Sequence, residues 1–461
     1  MAGSRRPSVV LIVLDCGRAD HLSCYGYGRE TTPFIDGLAA DGVRFTHMIT
    51  TAPWTLPAHA SLFTGLYSST HGATDEHKRL EPGRPTLGEI LAAAGYATAG
   101  FCANPWVAET GLKRGFEYFF DHRPRVRRLA RAYFGAQQLG DALLSRRDSG
   151  GRRTTAAFER WLDRVPDARP FFAFVHYNEP HLPFRPPPPW DRTFLNGTPP
   201  ARVRSVNQDC NRYIGGDVAM DAEDFQILTA LYDGELRYAD HLIGRLVDGL
   251  ARRGRREDTV LIVTADHGEN LGEHGLMSHK FVLTDTLLRI PLILHAPTLL
   301  PRGVVSDALV QSTDILPTVT RLLDLPTPPV EGVPLAGPEG LLPVERAFTV
   351  SERLRPNLSV FRQRYPRFDA DRHDVRRRAL RTRTHKYLWQ SDGREELYDL
   401  VADPGETRDV SAAEPELTRA LRQALEHWCT AHRERDLEGV AAPELDGEVQ
   451  RRLAALGYIE Q

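Results

Sequence analysis

Four short apolar runs, rich in β-branched and aromatic residues, constrain the fold more than any other feature of the sequence. They read SVVLIVLD, PFFAFVHYNEPH, DTVLIVTADHGE and RIPLILHAP. Near-continuous apolar runs of this length are typical of strands buried on both faces of a parallel sheet. Helical patterns such as TLGEILAAAG and LTALYDGELRYADHLIGRL lie between them. Strands that alternate with helices predict a wound α/β sheet.

The composition changes towards the C-terminus. Turn residues are frequent in LPTPPVEGVPLAG, and shorter alternating runs follow in RALRTRTHKYLWQSDGREELYDLV. Period-two alternation in short segments is typical of antiparallel strands with one exposed face. We therefore predict a catalytic domain over residues 1–344 and a small subdomain over residues 345–461, built from an antiparallel sheet and a terminal helix.

The charge balance gives no reason to expect a nucleic acid as partner, because 58 basic residues are offset by 61 acidic ones. Five cysteines without CxxC spacing favour reduced thiols and a cytoplasmic protein. The apolar run near the N-terminus is too short for a secretory signal or a membrane span. We expect a soluble protein with no membrane partner, and the oligomeric state stays open.

Polar residues follow three of the predicted strands at the point where each strand ends. Asp15 closes the first run, the segment from His176 to His181 closes the second, and Asp266 with His267 closes the third. In open α/β sheets, ligands bind beyond the carboxyl ends of the strands. We therefore expect these side chains to converge on one site.

The Asp266–His267 pair and Asp15 together offer two carboxylates and an imidazole. This mixed oxygen and nitrogen set suits a divalent metal, with Zn or Mn favoured over Ca or Mg. Two further histidines, His274 and His279, follow on the same segment. The alternative is that the pair is only structural.

The loop TAPWTLPAHASLFTG holds three candidate hydroxyl nucleophiles, Thr55, Ser61 and Thr64. Pro57 favours a helix start there, whose amides would face a group above Thr55. A metal-bound alkoxide at a helix end is a competent nucleophile towards phosphorus or sulfur. The alternative is that Thr55 only caps the helix.

The chain resembles the sulfatase branch of the alkaline phosphatase superfamily over nearly its full length. The matching segments include VVLIVLDCGRADHLSCYGY, WTLPAHASLFTGLYSSTHG, FVHYNEPHLPF, VTADHGENLGEHG and ELYDLVADPGE. The resemblance implies a large, mixed, mostly parallel sheet sandwiched by helices, with a small C-terminal antiparallel sheet. It also implies that Asp15, Asp266 and His267 hold a metal and that Thr55 is the nucleophile.

Three positions depart from the sulfatase pattern. Sulfatases carry Cys or Ser where this chain has Thr55, and Arg where it has His59. Threonine cannot be converted to the formylglycine aldehyde that sulfatases use. Cys16 replaces the second residue of the family's paired aspartates, and a thiol is a poor ligand for a hard cation.

The same positions are similar to the threonine-dependent members, the nucleotide pyrophosphatase/phosphodiesterases and the phosphoethanolamine transferases. By that comparison, His181 and His279 contact the transferred group or a second metal, and His176 accompanies His181. Asn104 matches an oxygen-binding residue, and Lys280 stands near the place of the sulfatase leaving-group lysine. The predicted catalytic residues are Thr55, His181 and Lys280, the predicted substrate-binding residues are Asn104, His176 and His279, and the predicted metal ligands are Asp15, Thr55, Asp266 and His267.

The resulting hypothesis is a metal-dependent hydrolase of a phosphate or phosphonate ester that forms a covalent phospho-Thr55 intermediate. One alternative is a sulfuric ester hydrolase in which Thr55 attacks sulfur directly. Others are a phosphoryl-group transferase and an inactive binding protein of the same fold. Each active alternative implies a small anionic ester as substrate.

Overall fold

The computed structural model describes residues 6–121 and 148–432, and the end of the predicted subdomain lies outside them. Within this part of the chain, eight strands form one sheet in the order β10-β2-β9-β6-β1-β5-β3-β4. The strands of this sheet are β1 (Ser8–Leu14), β2 (Val43–Ile49), β3 (Ala97–Cys102), β4 (Tyr118–Asp121), β5 (Phe171–Tyr177), β6 (Thr259–Ala265), β9 (Arg289–His295) and β10 (Val304–Gln311).

The sheet is mixed and mostly parallel, as predicted. Of the described strands in it, only β9 runs antiparallel to its neighbours β2 and β6. Every residue of β1, β5 and β6 is buried, which requires cover on both faces of the sheet. Burial of each large aliphatic side chain contributes roughly 1.5–3 kcal/mol, so these runs account for much of the core.

Helices supply that cover. The long helix α9 begins with a capping box between Asp221 and Asp224 and packs against α1 and α6. The helices are α1 (Pro33–Ala40), α2 (Thr55–Thr64), α3 (Ser68–His71), α4 (Leu87–Ala93), α5 (Pro105–Glu109), α6 (Gly151–Leu162), α7 (Pro200–Ser205), α8 (Cys210–Ile214), α9 (Ala222–Arg252), α10 (Asp285–Leu288), α11 (Ile315–Leu322), α12 (Ser359–Arg364), α13 (Ala370–His373) and α14 (Pro415–Ala431).

The C-terminal segment forms the predicted antiparallel sheet and terminal helix. Strands β13 (Thr349–Arg353), β14 (Arg377–Arg381), β15 (His385–Gln390) and β16 (Glu395–Asp399) pair in sequence order, and α14 packs against β15. Two short ribbons complete the described strands: β7 (Asn270–Leu271) with β8 (Met277–Ser278), and β11 (Ala336–Gly337) with β12 (Gly340–Leu341). The division at residue 345 stays a prediction.

The small sheet is joined to the large one by buried contacts. The Glu352 amide donates to the Thr51 carbonyl at 2.8 Å. The Lys386 ammonium, fully buried on β15, lies 2.6 Å from both Asp285 and Glu406. Among the described residues, no helix is long and apolar enough to cross a membrane. All five cysteines are free thiols.

Candidate active site

The four predicted metal ligands meet beyond the carboxyl ends of β1 and β6. His267 Nε2 lies 3.4 Å from the Thr55 hydroxyl, 3.4 Å from Asp266 Oδ2 and 3.9 Å from Asp15 Oδ1. His267 Nδ1 donates to the Gly268 carbonyl at 2.9 Å, so its Nε2 lone pair faces the two carboxylates. This arrangement places two oxygens, one imidazole nitrogen and one hydroxyl around a common point.

The register of the sheet explains this convergence. Leu14 of β1 pairs with Tyr177 of β5 and with Ala265 of β6, so the three strands end at the same level. The Asp15 amide then donates to the Tyr177 carbonyl at 2.9 Å, and the Asn104 side chain donates to Asp15 Oδ2 at 2.8 Å. The Asn104 amide oxygen accepts from the Trp106 amide, so Asn104 positions Asp15 within the site.

Thr55 is the first residue of α2, which is buried along its whole length. The residue that precedes the helix is Trp54, which makes no side-chain cap, so Thr55 does not act as the cap. The other two hydroxyls are engaged elsewhere: Ser61 accepts from Thr51 at 2.7 Å, and Thr64 donates to the Ala60 carbonyl at 2.6 Å. Of the three candidates, Thr55 is the one whose hydroxyl contacts the ligand cluster.

The charges at the site are poorly compensated by protein groups alone. Burial raises the pKa of Asp15 to about 6, and the neighbouring Asp266 carboxylate adds to the rise. Burial likewise raises the pKa of Asp266 to about 7, and it lowers the pKa of His267. Asp266 Oδ2 is buried without a hydrogen-bond partner. Two buried carboxylates and an oriented imidazole therefore fit a divalent cation, which would satisfy Asp266 Oδ2.

Two further histidines lie beneath this cluster. His59, one turn after Thr55 on α2, places Nδ1 2.8 Å from the Thr55 carbonyl and 3.6 Å from Asp266 Oδ2. His176 at the end of β5 places Nε2 3.5 Å from Asp15 Oδ2. Burial lowers the pKa of His59 to about 3 and the pKa of His176 well below its usual value. Burial therefore favours the neutral form of both rings.

The predicted substrate side of the site is also assembled. The ring centres of His279 and His267 are 4.5 Å apart, and those of His279 and His181 are 5.4 Å apart. His181 Nδ1 donates to the Leu182 carbonyl at 2.6 Å, and Lys280 is half-buried beside these rings. The structure does not place His274 in the site, because that residue is exposed.

A cavity of about 1380 Å³ opens from His181 and His279. The segment from residue 181 to 212 forms much of its wall. The lining carries more basic than acidic side chains: Arg185, Arg192, Arg204, Arg212, Lys280 and Arg364 against Asp191 and Asp209. An anionic ligand is favoured in such a cavity.

Sequence reasoning missed one residue of this region and undervalued two. Glu269 is fully buried near the cluster, and its only signal was its place three residues after Asp266. His59 was noted as a replacement for arginine, although its spacing of four residues from Thr55 on one helix indicates contact. Cys16 was regarded as a poor ligand, yet its thiol lies 3.5 Å from Asp15 Oδ1.

Comparisons with known proteins identify the family of this chain. The model of the family named Sulfatase matches residues 7–325. A second family model, described as N-sulphoglucosamine sulphohydrolase, C-terminal, matches residues 272–431. The first match covers most of the chain and all four predicted metal ligands.

Individual relatives have a low sequence identity to this chain, but their matches cover most of its length. The chain is 27% identical over 453 residues to "Uncharacterized sulfatase YidJ" of Escherichia coli (strain K12), covering 88% of this chain and 83% of the relative. It is 28% identical over 389 residues to "Multifunctional alkaline phosphatase superfamily protein PehA" of Trinickia caryophylli, covering 70% and 75%. The phosphonate monoester hydrolase of Agrobacterium radiobacter has the same fold, with a TM-score of 0.74 at 24% identity, covering 96% of this chain and 99% of that one.

The mixed, mostly parallel sheet and the small antiparallel sheet thus agree with the family match. The chain belongs to the sulfatase family of the alkaline phosphatase superfamily, a family of ester hydrolases.

Proposed function

We propose that this protein is a metal-dependent hydrolase of a phosphate or phosphonate ester, with Thr55 as the covalent nucleophile. The observation that carries the proposal is the Thr55 hydroxyl, which is buried 3.4 Å from His267 Nε2 beside Asp15 and Asp266. We propose Asp15, Thr55, Asp266 and His267 as the ligands and Zn or Mn as the cation.

When bound, the cation would lower the pKa of the Thr55 hydroxyl and place positive charge next to the reacting group. The protein residues hold the Thr55 hydroxyl and the Asp15 carboxylate in position. His59 holds the first turn of α2 through the Thr55 carbonyl, and Asn104 holds Asp15. These contacts fix the hydroxyl before substrate binds, which is what phosphoryl transfer needs most.

Proton transfer falls to the residues on the cavity side. His181 is anchored through Nδ1, so its Nε2 is the ring atom that can exchange a proton with the ester or with water. Burial lowers the pKa of His181, which favours the neutral form. We propose that His181, once it has taken up a proton at Nε2, assists the leaving oxygen by donating that proton to it. We further propose that Lys280 stabilises the negative charge of the leaving oxygen, that His279 orients the anionic group and that His176 orients Asp15.

A sulfuric ester is the second candidate substrate. It is favoured by the sulfatase names of several relatives and by the match of residues 272–431 to a sulphohydrolase C-terminal model. Phosphorus is favoured by Thr55, which cannot form the aldehyde of sulfatases, and by the phosphonate monoester hydrolases among proteins of the same fold. The transferase and the inactive binding protein remain as outcomes of the test.

The test compares initial rates on aryl phosphate monoester, phosphate diester, phosphonate monoester and sulfate monoester, with metal-stripped enzyme and single metals added back. We expect phosphorus esters to be preferred with Zn or Mn. Acid quench during turnover followed by peptide mass spectrometry should find phosphate or phosphonate on Thr55. The Thr64→Ala variant, which removes a hydroxyl from the same helix, is the control and should turn over normally. Preference for sulfate would select the second candidate.

A further inference from the structure

We propose that Arg185 and Arg212 bind a second anionic group, which is carried by the alcohol portion of the substrate. Both arginines line the cavity of about 1380 Å³ that opens from His181 and His279. The inference rests on the proposed ester hydrolysis, because it names the class of ester that the same site accepts. The leaving alcohol of such an ester ends in a phosphate, a sulfate or a carboxylate.

The cavity lies on the leaving-group side of the site. Its lining includes His181 and Lys280, which the proposed mechanism assigns to the leaving oxygen, and among the described residues it does not include Thr55. In phosphoryl transfer the attacking and leaving oxygens are roughly in line, so the departing alcohol points away from the nucleophile. The alcohol is therefore the part of the substrate that extends into the cavity, which exceeds the roughly 300–1,000 Å³ of most ligand pockets.

The charges of Arg185 and Arg212 are not neutralised by the protein. Both side chains are exposed, and among the described residues neither guanidinium group forms a salt bridge or a hydrogen bond. Arg202 on α7 shows the contrast, because its guanidinium lies 3.2 Å from Glu223 and 2.8 Å from Asp224 and does not line the cavity. The two cavity arginines thus keep all their donors available for a planar anionic group.

The acidic residues of the wall do not supply the counter-charge. Asp209 Oδ1 accepts from the Asn211 and Arg212 amides at 3.0 and 3.2 Å, so this carboxylate caps α8. Over the two described ranges of the chain, Asp191 forms no salt bridge with either arginine. The wall therefore keeps an excess of positive charge, which raises the local concentration of an anionic substrate.

The backbone that carries the two arginines is fixed. Gln208 joins two segments of the wall: its Oε1 accepts from the Phe184 amide at 2.6 Å, and its Nε2 donates to the Phe184 carbonyl at 3.2 Å. The next amide, that of Arg185, donates to the buried Glu235 carboxylate at 2.6 Å. Helix α8, which carries Arg212, packs against β8. The arginines therefore start from defined positions, as selective binding requires.

The same cavity offers apolar contacts to the rest of the alcohol. Leu182, Phe184, Val206 and Leu231 line it, and each of them is buried. Apolar walls with a few charged groups are typical of pockets that bind a carbon skeleton and orient it through its polar end. We therefore expect a chain or ring of carbon atoms between the ester and the second anionic group.

The first experiment measures binding and does not require turnover. The full chain, loaded with Zn, is titrated by calorimetry with hexylphosphonate and with the analogue that carries a second phosphonate at the other end of the chain. We expect the wild type to bind the diphosphonate about 10-fold more tightly, well above the roughly twofold gain from two equivalent ends. Added salt should reduce this ratio, because the arginines are exposed.

The variants assign the gain to the two arginines. Arg185→Gln and Arg212→Gln should each lower the ratio to about 3-fold, and the double variant should lower it to about twofold. Arg160→Gln, which removes an exposed charge from α6 outside the cavity, should keep the wild-type ratio. The same pattern is expected in kcat/KM for aryl phosphonate esters of para-hydroxyphenylpropionate compared with those of its neutral amide.

A wild-type ratio of only about twofold, or an undiminished ratio in the double variant, would overturn the proposal. The two proposals fail in different ways. Preferential binding of the diphosphonate without turnover of any ester would support the second anion site and reject the proposed hydrolysis. Turnover of phosphorus esters with no preference for the second anionic group would do the reverse.

Discussion

Glu179 provides a quantitative prediction about stability, because a carboxyl group is buried there without a cation. One of its oxygens accepts from the Gly151 amide at 3.1 Å, and the other has no partner. Burial, reinforced by the nearby Asp148 carboxylate, raises the pKa of Glu179 to about 8. Glu235 is buried next to it, and its pKa is also raised by burial and by Glu179. Folding therefore favours the protonated form of Glu179.

The sign of the pH dependence follows from this raised pKa. The contribution of Glu179 to stability is fully present below its unfolded pKa of 4.5 and is lost as the pH rises through about 8. At pH 7, which is roughly 2.5 pH units above the unfolded pKa, the unfolded chain ionises Glu179 and the folded chain keeps it protonated. This difference lowers the free energy of unfolding by about 3 kcal/mol relative to its value at low pH. With an unfolding entropy of about 2 cal/mol/K per residue, that is a shift in Tm of about 3 °C for this chain.

Glu179→Gln removes the ionisation while keeping the size of the side chain. We expect the variant to match the wild type at pH 5 and to exceed its Tm by about 3 °C between pH 7 and 8. Thermal unfolding followed by circular dichroism at each pH measures the effect, and Glu257→Gln, at an exposed position, is the control. An equal gain at pH 5, or no gain at pH 8, would refute the reasoning.

Three other predictions concern the site and the domain contact. Thr55→Ala should lower kcat at least ~10⁴-fold without a change in Tm, whereas Thr55→Ser should keep most of the activity; substantial turnover by Thr55→Ala would reject the nucleophile. Asp266→Asn should lose bound metal and activity together, as measured by elemental analysis alongside kinetics, and full metal content would contradict its role as a ligand. Lys386→Met should destabilise the chain by about 3–5 kcal/mol in urea unfolding, because Asp285 and Glu406 would keep buried charges without a cation, and an unchanged midpoint would contradict this.

The strands that carry the site were predictable because their apolar runs are continuous. SVVLIVL and TVLIVTA became β1 and β6, and the carboxylates that follow them meet as expected. The reversed direction of β9 was not predictable, since RIPLILH has the same pattern as the parallel strands. Direction depends on the connections between strands, and no local property of the run records it.

The histidines and acids of the site were predicted unevenly for a related reason. Asp15, Asp266 and His267 stand at strand ends, where position alone indicates function. Glu269 lies in an irregular segment, and it is buried next to Cys16, which is more than 250 residues away in sequence. A charged residue in a polar-looking loop gives no sign of burial until its distant neighbours are known.

The pairing of β1 with β6 has a consequence for how the chain is made. The Cys16 amide bonds Asp266 across a separation of 250 residues, so a ribosome that adds about 5–20 residues per second needs roughly 12–50 seconds to supply the partner. Until then β1 presents an apolar, unpaired edge in the nascent chain. Newly synthesised protein is therefore expected to depend on chaperones during this interval, and a fragment that ends before β6 should bind no metal at the site.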